Sequence, residues 1–257
     1  MKVLKFGGTS VGSSENINKV IQIVSHASEN QSVVVVVSAV GGITDKLMNA
    51  SSKAISKDLD YKSDFNKLKK QHIDIIEGLL SGDSLESTKD IILEKLLELE
   101  KLLDGIYLIN ELSPQTTDKL LSFGELMSSL IIFEAMQQKG LNVQLKNSQN
   151  LIVTDSNFTN AAVQFEETNA NITTYFEHND KLITILPGFI SKSEDGEITT
   201  LGRGGSDYTA AIVASALDAK FLEIWTDVSG MYTTNPKLVK QAKPIHKLSY
   251  FEAIELS

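Results

Sequence analysis

A doubly wound α/β fold on a parallel sheet is what this chain of 257 residues predicts. Residues 33–37 are five consecutive valines, the pattern of a strand covered on both faces in a parallel sheet. Two early strands each run into a glycine-bearing turn and then into a helix, through Gly7-Gly8-Thr9-Ser10-Val11-Gly12 and through Gly41-Gly42-Ile43-Thr44. Strand, turn and helix repeated in that order build layers of helix over sheet.

The elements follow in order. Residues 3–6 form a short strand, and a helix capped near Ser13 or Ser14 presents Ile17, Val20, Ile21 and Val24 on one face. The valine strand leads to a helix from about Asp45. Residues 53–112 are rich in lysine and glutamate and read as helical, with Ile91, Leu96, Leu99 and Leu103 as an apolar stripe. A further helix spans about 117–139 and stops at Gly140, a residue suited to a helix C-terminus. Strands are expected at 142–146, 151–154 and 182–186. Residues 190–201 read as a hairpin around Glu194-Asp195-Gly196-Glu197, since Asp-Gly favours a tight turn. Ser206 is expected to cap a helix through Leu217, and residues 221–226 make another strand in which Trp225 reads as core. The end of the chain, 248–257, reads as a helix cut in mid-course.

Bulk properties exclude several classes. A net charge of −9 disfavours nucleic acid and anionic membranes as partners. Without cysteine there is no disulfide, thiol nucleophile or thiolate metal site. The four histidines, at 26, 72, 178 and 246, have no metal-ligand spacing, so no protein-held metal is expected. The N-terminus lacks a signal-peptide pattern, and the longest uninterrupted apolar runs fall far short of the ~20 residues of a membrane helix. The expectation is a soluble cytoplasmic protein.

One arginine, Arg203, stands against 23 lysines, inside Gly202-Arg203-Gly204-Gly205-Ser206-Asp207. A guanidinium differs from an ammonium in its planar fork, which grips a carboxylate or phosphate through two parallel hydrogen bonds. Its neighbours Ser206 and Asp207 fall at an expected helix N-terminus, a favourable place for an anion. The first turn lacks the Lys-Ser/Thr of a P-loop, and its lysine, Lys5, precedes the glycines. Either its backbone N–H groups cradle phosphate with Lys5 as a point charge, or the glycines serve close packing of strand and helix. Ser38 and Thr44 offer hydroxyls at the carboxyl end of a buried strand, where ligands of open α/β sheets bind. In Ser122-Phe123-Gly124-Glu125, a glycine inside a helix costs about 1 kcal/mol relative to alanine, which suggests a close approach. From pattern alone Glu125 reads as a solvated side chain.

Lys5-Phe6-Gly7-Gly8-Thr9-Ser10, Ser38-Ala39 with Gly42-Ile43-Thr44, Ser122-Phe123-Gly124-Glu125, Gly202-Arg203-Gly204-Gly205-Ser206-Asp207 and Trp225-Thr226-Asp227-Val228 resemble, in order and spacing, the motifs of aspartokinases. The similarity spans the whole chain. Its Gly-Ile-Thr turn and long helical segment resemble the lysine-sensitive or bifunctional aspartokinase–homoserine dehydrogenase types. The resemblance implies the amino-acid kinase fold, a three-layer α/β/α sandwich around a mainly parallel sheet. Residues of about 1–200 would form the amino-acid-binding lobe, with a helical insertion over 53–140, and about 201–257 part of the nucleotide-binding lobe. The family's later Phe-Gly-Ala-Lys-Val motif, its ACT domains and any dehydrogenase domain lie outside this sequence, so the expectation is a catalytic region shortened at its C-terminus.

The implied activity is MgATP-dependent phosphorylation of the side-chain carboxylate of L-aspartate, the step that opens lysine, threonine and methionine biosynthesis. By resemblance, Lys5 and Asp207 are catalytic, and Lys5, Gly7, Gly8, Thr9, Ser38, Thr226, Asp227, Tyr232 and Lys237 meet ATP. Arg203 would bind the α-carboxylate of aspartate and Glu125 its α-ammonium. Thr44 and Ser206 add hydrogen bonds and Phe189 lines the pocket. Asp207 either orients Lys5 or contacts the ammonium. Mg²⁺ would arrive on ATP, and the full-length protein would be a homodimer. Lys237 stands where the family usually has arginine. Competing readings are another amino-acid or nucleotide kinase, which the ammonium-suited Glu125 argues against, and a fragment that binds aspartate or nucleotide without turnover.

Overall fold

The five valines of residues 33–37 divide between two hydrophobic cores. Val33, Val35 and Val37 join one, Val34 and Val36 the other, and all are 0–1% exposed. Side chains alternate along a strand, so an unbroken apolar run is satisfied only when both faces are covered. Full burial of each valine contributes roughly 1.5–3 kcal/mol.

The computed structural model describes all residues except Asp180, Ser229, 235–237 and 256–257, and the side chain of Tyr250. Two compact units result, Met1–Trp225 and Thr226–Ser257. In the first, the chain runs β1 (Lys2–Phe6), α1 (Ser14–Ser28), β2 (Val33–Val37), α2 (Ile43–Ile55), α3 (Tyr61–Leu79), α4 (Gly82–Ile109) and α5 (Pro114–Gln138). It continues through β3 (Val143–Leu145), a short 3₁₀ turn (Ser148–Asn150), β4 (Val153–Thr154), α6 (Phe165–Glu177), β5 (Ile183–Pro187), β6 (Ile190–Ser193), β7 (Ile198–Thr200), α7 (Gly205–Ala216) and β8 (Phe221–Trp225).

The central sheet has the order β3-β5-β2-β1-β8, and every pairing is parallel. Residues of α1 to α5 pack on one face, those of α6 and α7 on the other, giving the three-layer sandwich. The hairpin expected at 190–201 forms as β6 and β7, with Gly196 at φ +89° in its turn. It belongs to a separate small sheet in which β4 pairs parallel to β6.

Local signals placed several boundaries. Ser13 caps α1 by accepting from the Asn16 N–H, and Ser113 caps α5 from the Thr116 N–H, with Pro114 in the first turn. Other details differ from expectation. In α4 the buried stripe is Ile92, Leu96, Leu99, Leu103 and Ile106, whereas Ile91 is 40% exposed. Ile92, not the expected Ile91, continues the three- and four-residue spacing of Leu96, Leu99 and Leu103 and so falls on the buried face. The α6 helix was not anticipated: it has no side-chain cap and buries only Thr168 and Ile172, too narrow a face to read. Trp225 stacks on Phe6 at 6.0 Å but stays 38% exposed on an edge strand.

The α5 helix is long and apolar enough, by composition, to cross a membrane. Its most apolar window is 72% buried inside the molecule, where Leu120, Met127, Ile131 and Ile132 join the core, so this is the central packing helix. In the second unit, Tyr232 bridges antiparallel to Pro244 and α8 spans Tyr250–Glu255.

Candidate active site

The site is built on the carboxyl ends of β1, β2 and β5 and on two helix N-termini. Gly8 and Gly41 bring the first two turns together: a Cβ on Gly8 would lie 3.1 Å from the Ala39 carbonyl oxygen, and one on Gly41 3.0 Å from that of Gly8. At Gly8, therefore, the close-packing role holds. Gly7 is different. A Cβ there would lie 3.7 Å from the Lys5 ammonium, an ordinary contact, so packing alone does not require glycine at this position.

Both α2 and α7 start from a left-handed glycine, Gly42 at φ +76° and Gly204 at φ +73°, and neither has a side-chain cap. Ser206, expected as the cap, instead lies inside α7 and is buried. The first-turn N–H groups of both helices are thus left without side-chain acceptors beside the same cleft, where their dipoles favour negative charge.

That cleft, about 360 Å³, is lined by nine of the expected residues: Lys5, Gly8, Ser38, Thr44, Glu125, Phe189, Arg203, Ser206 and Asp207. Gly7 and Thr9 share the first turn but not the lining. Asp45, in the first turn of α2, also lines it and was not singled out from sequence, although its place beside Thr44 was a signal. Thr226, Asp227 and Tyr232 fall in the second unit, where Thr226 Oγ1 donates to Asp227 Oδ1 at 3.2 Å. Lys237 lies outside the described residues.

Lys5 sits on the α6/α7 face of β1, two residues from Val3, which joins that core. Its Nζ is 2.8 Å from Asp207 Oδ1 in the first turn of α7. Only 7% of Lys5 is exposed, and Asp207 is the carboxylate that pairs with it.

Glu125 corrects the solvated reading: it is 5% exposed, on the core side of α5. Burial pushes its carboxyl up to about 8, against the opposing effect of the Ala39 N–H. Gly124 makes this possible. A Cβ there would lie 2.8 Å from the Ala39 Cβ, so α5 approaches the turn after β2 closely only because residue 124 is glycine. Arg203, by contrast, is exposed, and no carboxylate among the described residues pairs with it.

Phe189 has φ +68°, an uncommon left-handed conformation for a bulky residue. Its N–H donates to Thr209 Oγ1 at 2.9 Å and its carbonyl accepts from the Leu201 N–H at 2.9 Å. Such strain persists where surroundings over-determine it, and it clusters at functional sites. Its neighbour Gly188 lets the β5–β6 link pass Ser206, since a Cβ would come within 2.7 Å of the serine Cβ.

A sandwich of this topology, with glycine turns and paired charges at the strand ends, defines a class, and the chain belongs to the amino acid kinase family, whose model matches residues 1–257. Within that family it is similar to aspartokinases. It is 33% identical over 260 residues to a bifunctional aspartokinase/homoserine dehydrogenase of Buchnera aphidicola, covering 100% of this chain and 32% of that protein. It is 35% identical to lysine-sensitive aspartokinase 3 of Escherichia coli, covering 99% and 55%. Among solved structures, E. coli aspartokinase III in complex with aspartate and ADP superposes with a TM-score of 0.86 at 32% identity, over 95% of this chain and 53% of that one. The chain spans about a third to a half of the length of such curated relatives.

Proposed function

We propose that these residues form the catalytic region of an aspartate kinase, which transfers the γ-phosphoryl group of MgATP to the side-chain carboxylate of L-aspartate. The observation that carries this reading is the convergence, in one cleft, of the Lys5–Asp207 pair, a buried carboxyl on Glu125 and the exposed fork of Arg203.

The chemistry matches that set. A carboxylate nucleophile is already ionised at neutral pH, so no general base is needed, and the site has to hold two anions in line while stabilising the transferred group. Arg203 takes the α-carboxylate through its fork and Glu125 the α-ammonium. Thr44 and Ser206 add hydrogen bonds, and Phe189 walls the pocket. A side-chain oxygen of aspartate bonds to Pγ as the Pγ–O bond to the β-phosphate breaks, and the electron pair leaves on ADP. Lys5, held by Asp207, meets the charge on the transferred phosphoryl. Gly7, Gly8, Thr9 and Ser38 border the phosphates, and Thr226, Asp227, Tyr232 and Lys237 belong to the nucleotide side.

The Lys5 ammonium lines the cleft, where it can meet a phosphate. Mg²⁺ would be carried on ATP. When bound there, the ion would supply charge neutralisation at the phosphates. We further assign residues 1–200 to the amino-acid lobe and 201–257 to the nucleotide lobe of a cytoplasmic protein that is a homodimer at full length.

Hydroxylamine trapping of the acyl phosphate, coupled to ADP release, tests the reaction. Aspartate-dependent hydroxamate is expected. Equal turnover of N-acetylglutamate would overturn the substrate assignment, and calorimetric aspartate binding without turnover would leave only a binding role.

A further inference from the structure

Asp118 lies seven residues before Glu125 on α5, two turns away and on the same side of the helix. It is 0% exposed, and no lysine, arginine or histidine among the described residues pairs with it. Its charge is met by three donors from elsewhere in the chain. Asp118 Oδ2 accepts from the Thr159 N–H at 2.8 Å and from the Thr200 N–H at 3.0 Å, and Oδ1 accepts from the Thr200 hydroxyl at 2.7 Å. Burial raises its carboxyl while these three bonds pull it down.

The two threonines lead to the Arg203 turn by separate routes. Thr200 ends β7, three residues before Arg203. Thr159 is left-handed at φ +72°, and the next residue, Asn160, packs under Gly202: a Cβ on that glycine would lie 2.5 Å from Asn160 Oδ1. One buried carboxylate on the helix that carries Glu125 therefore clamps both the strand that launches Arg203 and the loop on which its turn rests.

We propose that Asp118 is a positioning residue that sets the separation of Glu125 and Arg203, so that one ligand bearing an α-ammonium and an α-carboxylate engages both. This rests on the reading of the cleft as an aspartate site. Few residues are as sensitive to truncation as a buried charged acceptor of three bonds, because its donors are left unpaired.

The test measures aspartate, succinate and ATP binding by calorimetry in the wild type, Asp118→Asn and Thr200→Val. Succinate keeps both carboxylates of aspartate and lacks the ammonium. Asp118→Asn is expected to weaken aspartate binding by about tenfold or more, to change ATP binding by less than about twofold, and to shrink the preference for aspartate over succinate. Thr200→Val, which removes one hydroxyl donor, is expected to move the same ratio by less. General loosening of the fold would instead weaken all three ligands together. A folded Asp118→Asn protein with the wild-type aspartate/succinate ratio overturns this inference alone. If that variant does not fold, an unchanged ratio in Thr200→Val overturns it and a lowered one supports it. A wild type that binds no aspartate overturns the functional reading itself, and this inference with it.

Discussion

Lys5 Nζ lies 2.8 Å from Asp207 Oδ1, which joins the carboxyl end of a central strand to the first turn of a helix that starts at Gly204. The lysine is buried and the aspartate half-exposed, so the pair is screened on one side only. A lysine side chain has many rotamers, and one short ion pair confines the ammonium to the region beside Gly7.

If Lys5 acts on the transferred phosphoryl, Lys5→Ala should lower kcat by about 10²–10³, the range for loss of one donor to developing charge. The KM values for both substrates should change little. Asp207→Asn should follow with a smaller loss of kcat. Steady-state kinetics checks both, and a defect confined to KM would contradict the role.

Arg203→Lys keeps the charge and removes the fork. Hydrogen bonds to charged groups are worth ~1.5–3 kcal/mol, so losing one arm should raise the aspartate KM by about tenfold or more while the KM for ATP stays within about twofold. An unchanged aspartate KM would show that the guanidinium holds something else.

Glu125 makes binding and stability run oppositely with pH. Its folded-state value of about 8 lies above the ordinary 4.5, so between those values the folded protein holds a proton that the unfolded chain has released. Stability from this group therefore falls as pH rises from about 4.5 to 8. Pairing with an ammonium needs the ionised form, so aspartate affinity should instead rise toward pH 8 and then level off. Glu125→Gln should abolish that pH dependence and most binding, yet raise the melting temperature at pH 8.5. Calorimetry and thermal melts across pH 6 to 9 measure the two trends, and a wild-type affinity flat over that range would refute the carboxylate's part in binding.

Gly124→Ala should destabilise despite alanine's better helix propensity. The gain is about 1 kcal/mol, but the new methyl would sit 2.8 Å from the Ala39 Cβ, and overpacking of this kind costs about 1–3 kcal/mol. Ala39→Gly in the same chain should restore most of the loss. The melting temperatures of the two single variants and the double variant decide, and strict additivity would argue against the contact.

How much could be read in advance differs from residue to residue. The lone arginine among lysines marked Arg203 by composition, and the five valines of β2 announced a strand buried on both faces before any fold was known. The serine cap of α1 and the Asp-Gly hairpin turn were legible because their signals and their consequences lie within a few residues, whereas α5 starts three residues earlier than expected, at Pro114. The burial of Glu125 was not, since a glutamate in an amphipathic stretch has the same local pattern whether it faces water or core. That outcome depends on how closely α5 packs on Ala39, a residue far away in sequence. Nor did the local pattern give Asp118 its three donors. By itself, then, the sequence determined the layered α/β architecture and the residue types around the cleft, because periodicity, caps and turns are written in neighbouring positions. Only the tertiary structure decided which charges are buried, paired or left open, because desolvation and ion pairing are set by groups that meet across the fold.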